Sequence, residues 1–457
     1  VPHEILRQQI ARPVLDICKE LRNAGERAWV VGGCVRDTLR GERVNDWDVA
    51  TTALPRKVQR IFARVIPTGI DHGTVTVLWK GGAYEVTTLR GEGAYTDGRR
   101  PDSVVFVEDI DRDLARRDFT VNAIAYDPVD GHLADPFGGL DDMRNKVLRA
   151  VGAPAERFQE DGLRILRGAR FVATLEFELE QATEAAFRGA LDTFRKVSPE
   201  RVREEWLKAM KAGAPSRAFE VMRRTGILAV TYPELLEQVG CEQNRWHAYD
   251  VWNHTMRVLD ESEGNAVERI AALLHDVAKP RTRAKSAKTG DWTFYHHEKV
   301  GADMAERWLR DYRFSNRERE LVVDLIRHHL ICYTSKWSDA AVRRFIKRVG
   351  AENVEPLLRL GEADALGKGR NVEEELQALK ELRGRIDKTI EEGNALTTQD
   401  LAVRGQDVIA HLEGGAGPAV GEILRSLLDR VIEDPSLNTR DKLMPIVEEL
   451  AKQRQGR

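Results

Sequence analysis

Cysteine is scarce in this chain. Only Cys18, Cys34, Cys241 and Cys332 occur among 457 residues, and none belongs to a CxxC pair. That excludes a disulfide-stapled scaffold or a zinc ribbon and predicts reduced thiols in a cytosolic setting. Long apolar runs are missing too. No stretch reaches the roughly 20 residues of a membrane span. The opening residues VPHEILRQQIARPV carry no apolar block of the secretory kind, so a cytoplasmic protein with no membrane partner is expected. No internal repeat is visible. A strong charge bias is also absent: 71 Lys and Arg against 74 Asp and Glu leave a net −3. A uniformly basic coat for nucleic acid is thereby excluded, but local basic tracks are not. Such tracks are Arg99-Arg100, Arg116-Arg117, the series Arg164, Arg167, Arg170, and KPRTRAKSAK at Lys279–Lys288.

The length predicts two to four domains. The first 30 residues read as a helix leading into a strand, RAWVVGG. Strand-like runs then follow to about Asp135: TVTVLW, AYEVTTL, SVVFVE and VNAIAYD. From Ala155 onward nearly everything has helical periodicity. Ser198-Pro199-Glu200 reads as a helix start, with Ser as cap and Pro in the first turn. Residues 240–365 are helical and dense in histidine.

Two acids flank one tryptophan in Asp46-Trp47-Asp48. In a strand, Asp46 and Asp48 project from one face and Trp47 from the other, buried one. Adjacent carboxylates repel and raise each other's pKa. A divalent cation resolves the conflict, and oxygen ligands at this spacing suit Mg²⁺. Upstream, AWVV runs into Gly32-Gly33 and the helix CVRDTL, a turn whose backbone N–H groups can hold phosphate. Glu85 in AYEVTTL reads equally as a third acid or as an exposed strand carboxylate.

GGCVRD followed by DWD resembles the nucleotidyltransferase head of the DNA polymerase β superfamily. RRDFTVNAIAYD (Arg116–Asp127), DPFGGLDD (Asp135–Asp142), EDGLRILRGARF (Glu160–Phe171) and SPERVREEW (Ser198–Trp206) follow in the order of class II tRNA nucleotidyltransferases. These are the bacterial-type CCA-adding enzymes and their poly(A) polymerase relatives, and the match covers about the first 210 residues. The resemblance implies an α+β fold: a small mixed-sheet, polymerase-β-like head (1–150), then an elongated helical series. That series is a nucleotide- and RNA-binding neck (151–239), an HD domain (240–366) and a tRNA-binding tail (367–457). It implies catalysis at Asp46 and Asp48 with Mg²⁺, two-metal transfer of nucleotides from CTP and ATP to tRNA, and a monomer or homodimer. Arg116, Arg117, Asp118 and Asn122 are implied in contacts with ribose and phosphates. Gly32, Gly33, Arg36, Arg167 and Arg170 complete the candidate nucleotide and phosphate contacts.

In EDGLR, Asp161 and Arg164 stand i, i+3 on a predicted helix and share a face. A carboxylate accepts hydrogen bonds and a guanidinium only donates them. Cytosine and adenine offer an amino donor beside a ring acceptor, so both suit this pair. Uracil and guanine present a carbonyl and an N–H instead, and each mismatch costs about 1–3 kcal/mol. The pair can thus serve as an amino-acid template for CTP and ATP, the role the resemblance implies. The segment between Arg90 and Asp113 is full length for the family, which favours an enzyme able to switch from C to A. The RRF-type segment of bacterial poly(A) polymerases is not found. An A-adding enzyme or a poly(A) polymerase is the alternative within the class.

The stretch HAYDVWNHTMRVLD … ALLHDVAKP … FYHHEKVGAD … IRHHLICY … GEADALGKG resembles an HD phosphohydrolase domain. Its implied metal ligands are His254, His275, Asp276 and Asp364. Adjacent helical residues point about 100° apart, so one of His296/His297 and one of His328/His329 should join them. His297 and His329 fit the family pattern. Imidazole with carboxylate suits nickel, manganese, cobalt or iron more than magnesium. The implied activity is phosphomonoesterase or 2′,3′-cyclic phosphodiesterase action on RNA ends. From another class, the HD domain could be the main activity and the head an inactive RNA-binding module.

Overall fold

A computed structural model describes residues 2–91, 105–412 and 415–455. Arg99-Arg100 and most of the 90–113 segment lie outside the described residues. The chain divides into two compact units, Val1–Pro233 and Glu234–Arg457.

The first unit holds a seven-stranded sheet: β1 (Ala28–Val31), β2 (Asp48–Thr51), β3 (Val65–Gly69), β4 (Thr74–Trp79), β5 (Gly82–Thr88), β6 (Ala125–Asp127) and β7 (His132–Ala134). Their order is β3-β4-β5-β2-β1-β6-β7, antiparallel except for β2 against β5. Both faces are covered, as the period-two alternation dictates. Val30 and Val49 pack on one side with Val75, Val77 and Val86, under Val14, Ile17 and Leu21 of helix Arg12–Asn23. Trp29, Val31 and Ala50 join Leu89 and Leu114 on the other side.

Two expected strands are shorter than their sequences suggest. Thr120–Asn122 forms a 3₁₀ turn and only Ala125–Asp127 of VNAIAYD is strand. That turn tucks Asn122 beneath Arg36 and Asp118. Of SVVFVE, the described part makes a single bridge, Arg90 to Phe106.

Helices follow from Pro154. Phe119 packs edge to face on Phe171 at 5.8 Å and Phe158 on Phe187 at 5.0 Å, with Phe119 tilted against Phe158 at 6.2 Å, and Trp206 meets Phe219 at 5.0 Å. The helix Pro199–Ala209 starts where Ser198-Pro199 predicts, although the Ser198 side chain makes no cap bond. Small strand pairs interrupt the helical regions at Val147–Leu148 with Glu178–Leu179, and at Ala284–Lys285 with Trp292–Thr293.

The second unit places its histidines on helices with strong starts. Asp250 caps Val251–Glu261, Asn265 caps Ala266–Leu274, and Ser315 with Glu318 forms a capping box on Asn316–His328. Residues from Ala395 to Ala451 gather a hydrophobic cluster of their own around Leu401, Val403, Leu427 and Leu443. No described helix is long and apolar enough to cross a membrane.

Candidate active sites

β2 begins at Asp48, so Asp46 and Trp47 precede the strand rather than lie in it. The expected facing is nonetheless kept: Trp47 packs with the Val49 cluster while Ala50 joins the opposite one. Trp47 is half-buried, not buried, because the strand stops short of it. Asp46 and Asp48 are both open to solvent. Glu85 is the register partner of Asp48 in the parallel pair, which places their side chains on one sheet face. The Asp48 carboxyl is raised above its ordinary range, first by the protein crowding it despite its open edge, then by Glu85 and Asp46, against the pull of Arg117. Asp48 thus feels the charges of Glu85 and Asp46, with Arg117 as the countercharge. That repulsion is what a divalent cation on the Asp46, Asp48 and Glu85 oxygens would relieve.

Gly32 has φ +77, and a Cβ there would lie 2.5 Å from Arg117 Nη1. Only glycine lets the turn and the guanidinium coexist. Arg117 donates to the Asn122 carbonyl at 3.4 Å and pairs with Asp113 at 3.4 Å. Asp113 also takes Arg116 at 2.7 Å. Arg36 donates to the Asn122 side chain, and Asn122 donates to Asp118 at 3.1 Å. Gly33 opens the helix Gly33–Leu39, with Arg36 Nη2 3.5 Å from where its Cβ would be.

Asp161 and Arg164 do not share a helix, contrary to the spacing argument. Helix Pro154–Glu160 ends, Asp161 is extended, and a new helix runs Leu163–Leu175. The cause is Gly162: a Cβ there would meet Phe194 N at 2.4 Å, so the chain turns where the backbones touch. Asp161 accepts from Leu163 N at 3.0 Å and from Arg201 at 2.7 Å. Arg164 donates to Glu160 at 2.7 Å and to the Arg157 and Arg116 carbonyls at 3.0 Å each. The last bond ties it to the RRD motif. Three of five guanidinium donors are so used, and both side chains keep a small open part, 18% for Asp161 and 12% for Arg164.

Arg167 and Arg170 continue the Arg164 stripe along helix Leu163–Leu175. Arg167 pairs with buried Asp118 at 2.7 Å, and Arg170 with buried Glu205 at 2.5 Å. Burial alone would raise the Asp118 carboxyl, but Arg167, Asn122 and Arg164 hold it well below the usual range. The structure thus joins Gly32, Arg36, Arg117, Asp118, Asn122, Arg164, Arg167 and Arg170 in one polar network.

In the second unit, four histidine Nε2 atoms and two carboxylates converge. Asp276 Oδ2 lies 3.3 Å from His254 and 3.2 Å from His275. Asp276 Oδ1 lies 3.3 Å from His297 and 3.8 Å from His329. Asp364 Oδ1 is 3.1 Å from His254 and 3.6 Å from His275. His254-His275-Asp276 and Asp276-His297-His329 are each close enough to hold an ion. Three imidazoles bond through Nδ1 to backbone carbonyls, of Ala272, Phe294 and Ile326, at 2.6–2.8 Å. Those bonds place the proton on Nδ1 and aim the Nε2 lone pair inward, as metal ligation requires. His254 Nδ1 is buried without a hydrogen-bond partner, and the buried Asp276 carboxylate is flanked by four imidazoles and Lys279, so the donor set fits a transition metal. His296, by contrast, is exposed and left-handed at φ 62, and His328 is half-buried.

Several supports were not singled out in the sequence. Arg201 and Glu205 sit inside SPERVREEW and hold Asp161 and Arg170. Lys279 meets Asp276 at 2.6 Å and Lys368 meets Asp364 at 3.1 Å. Their i, i+3 and i, i+4 spacings are the signal that could have found them.

Residues 28–149 match the poly A polymerase head domain, 176–238 the probable RNA and SrmB-binding site of polymerase A, and 247–368 the HD domain. A CCA-adding enzyme of Lactobacillus johnsonii is 41% identical over 285 residues, 58% of this chain and 71% of that protein. The chain belongs to the CCA-adding enzyme family. A second relative of that name, from Lactobacillus helveticus, is 45% identical over 249 residues, 52% of this chain and 61% of that one. The Bacillus stearothermophilus CCA-adding enzyme, solved in complex with CTP, superposes with a TM-score of 0.71 at 29% identity. That match covers 97% of this chain and 98% of the other. Membership carries a nucleotidyltransferase head that works with divalent metal, followed by an HD domain.

Proposed function

We propose that this chain adds CCA to the 3′ end of tRNA from CTP and ATP, in the cytoplasm and without a template strand. The observation that carries this reading is the register pairing of Asp48 with Glu85 next to Asp46, within reach of the charge of Arg117 at the Gly32 turn. Mg²⁺ on the aspartates would supply Lewis-acid activation of the 3′-hydroxyl and charge neutralisation of the triphosphate. Arg117 and Arg36 donate toward the phosphates. Asp118 and Asn122 take the ribose hydroxyls. Asp161 keeps acceptor capacity and Arg164 keeps donor capacity for the pairing edge of C or A, while Arg201 and Glu160 hold the two side chains in place. Residues 1–150 act as head, 151–239 as neck, and 367–457 as a tail gripping tRNA through its phosphates and A-form shape.

The second site, in residues 240–366, is read as a phosphohydrolase on RNA ends using nickel, manganese or cobalt. The buried Asp276 carboxylate set among four imidazoles supports that reading. Purified protein given tRNA ending at each of three successive positions, with each NTP separately, tests the main proposal. CTP alone should extend tRNA that lacks CCA, and ATP alone should extend only tRNA ending in CC. Failure to incorporate C would leave A addition as the activity.

A further inference from the structure

Of the large apolar side chains exposed among the described residues, Tyr295 (75%) and Trp246 (54%) are the two most open. Exposed aromatics of this size are costly to leave in water and mark contact surfaces. Both adjoin the histidine site. Tyr295 stands two residues before His297. Trp246 precedes His247, whose ring packs edge-on against His254 at 5.1 Å. The two segments are tied together: Arg245 pairs with Asp291 at 3.2 Å. Lys279, which meets Asp276, also donates to Gln243 at 2.7 Å and lies over the Phe294 ring.

Cations lie among these aromatics, two of them also paired with acids, Arg245 with Asp291 and Arg283 with Glu242. Arg283 lies 3.5 Å over the Trp292 ring and Lys285 lies 5.1 Å from its centre, both on the small hairpin beside Tyr295. Arg245 lies 5.8 Å from the Trp246 ring centre. Aromatic faces interleaved with cations are what unpaired nucleotides stack on, with the cations tracking the phosphates.

We propose that Trp246 and Tyr295, with Arg283, Lys285 and Trp292, form a stacking platform. It seats the unpaired 3′-terminal nucleotides of an RNA beside the four-histidine site. The proposal rests on reading that site as a phosphohydrolase and gives its substrate as a single-stranded RNA end rather than a free small phosphoester. Hydrolysis of a terminal 3′-phosphate then consumes one water, leaves a 3′-hydroxyl on the RNA and releases inorganic phosphate.

Full-length protein is assayed with manganese on an eight-nucleotide RNA bearing a 3′-phosphate and on p-nitrophenyl phosphate. Stacking on one aromatic changes affinity by about fivefold to a hundredfold. Trp246→Ala with Tyr295→Ala should lower the RNA-to-small-ester ratio of kcat/KM at least tenfold, mainly through KM. Trp246→Phe with Tyr295→Phe should restore most of it. A ratio within twofold of wild type overturns the platform. If wild-type protein hydrolyses neither ester, the phosphohydrolase reading falls and the platform is decided by photocrosslinking. RNA ending in 4-thiouridine should then attach to the peptides around Trp246 and Tyr295. Attachment confined to other segments overturns the proposal.

Discussion

Asp48 on β2 and Glu85 on β5 are register partners in the one parallel pair among the described strands of the seven-stranded sheet. The pairing sets a third carboxylate beside the Asp46–Asp48 pair. Glu85→Gln should therefore slow incorporation of CTP by about two to three orders of magnitude, typical of removing one contributor to a charged transition state. Single-turnover extension of tRNA measures this, and a change below threefold would make Glu85 an ordinary strand carboxylate.

Arg201 holds Asp161 at 2.7 Å from a separate helix. Arg201→Ala frees the carboxylate to rotate. Discrimination of CTP against UTP should drop by about 5- to 30-fold, the equivalent of about 1–2 kcal/mol. The ratio of kcat/KM values for the two nucleotides gives the answer, and an unchanged ratio removes Arg201 from base selection.

Gly162 touches the Phe194 backbone so closely that a Cβ would sit 2.4 Å from its nitrogen. Gly162→Ala must push the two helical segments apart. A loss of about 2–3 kcal/mol of stability is expected, visible as a lower midpoint in denaturant unfolding. Gly189, which has open space around its Cβ position, provides the control: Gly189→Ala should cost far less.

The Asp118 carboxyl is depressed by Arg167, Asn122 and Arg164, against the effect of its burial. A depressed folded pKa contributes stability that is present above the ordinary value near 3.9. It is lost as pH falls through the lower folded value. Asp118→Ala should thus cost about 3 kcal/mol at pH 7, where it leaves Arg167 without its partner. The deficit relative to wild type should shrink below about pH 4. Urea midpoints from pH 7 to pH 2.5 test this; a deficit constant with pH contradicts it.

Much of the site was legible because periodicity is local. The facing of Asp48 against Trp47 follows from strand geometry, and helix geometry admits one histidine of each adjacent pair; the family pattern is what picks His297 and His329. Glu85 stayed open between a third acid and an exposed strand carboxylate, since strand register is set by distant parts of the chain. Nor was the break at Gly162, whose cause is a contact with Phe194. Val121-Asn122 read as the start of the strand run VNAIAYD because its β-branched and aromatic residues favour strand. The hydrogen bonds Asn122 makes to Arg36 and Asp118 outweigh that preference.

Each oxygen of Asp276 faces its own pair of imidazoles, Oδ2 toward His254 and His275, Oδ1 toward His297 and His329. Losing one histidine takes a ligand from one side only, but Asp276 belongs to both three-residue clusters, so its loss takes a ligand from each at once.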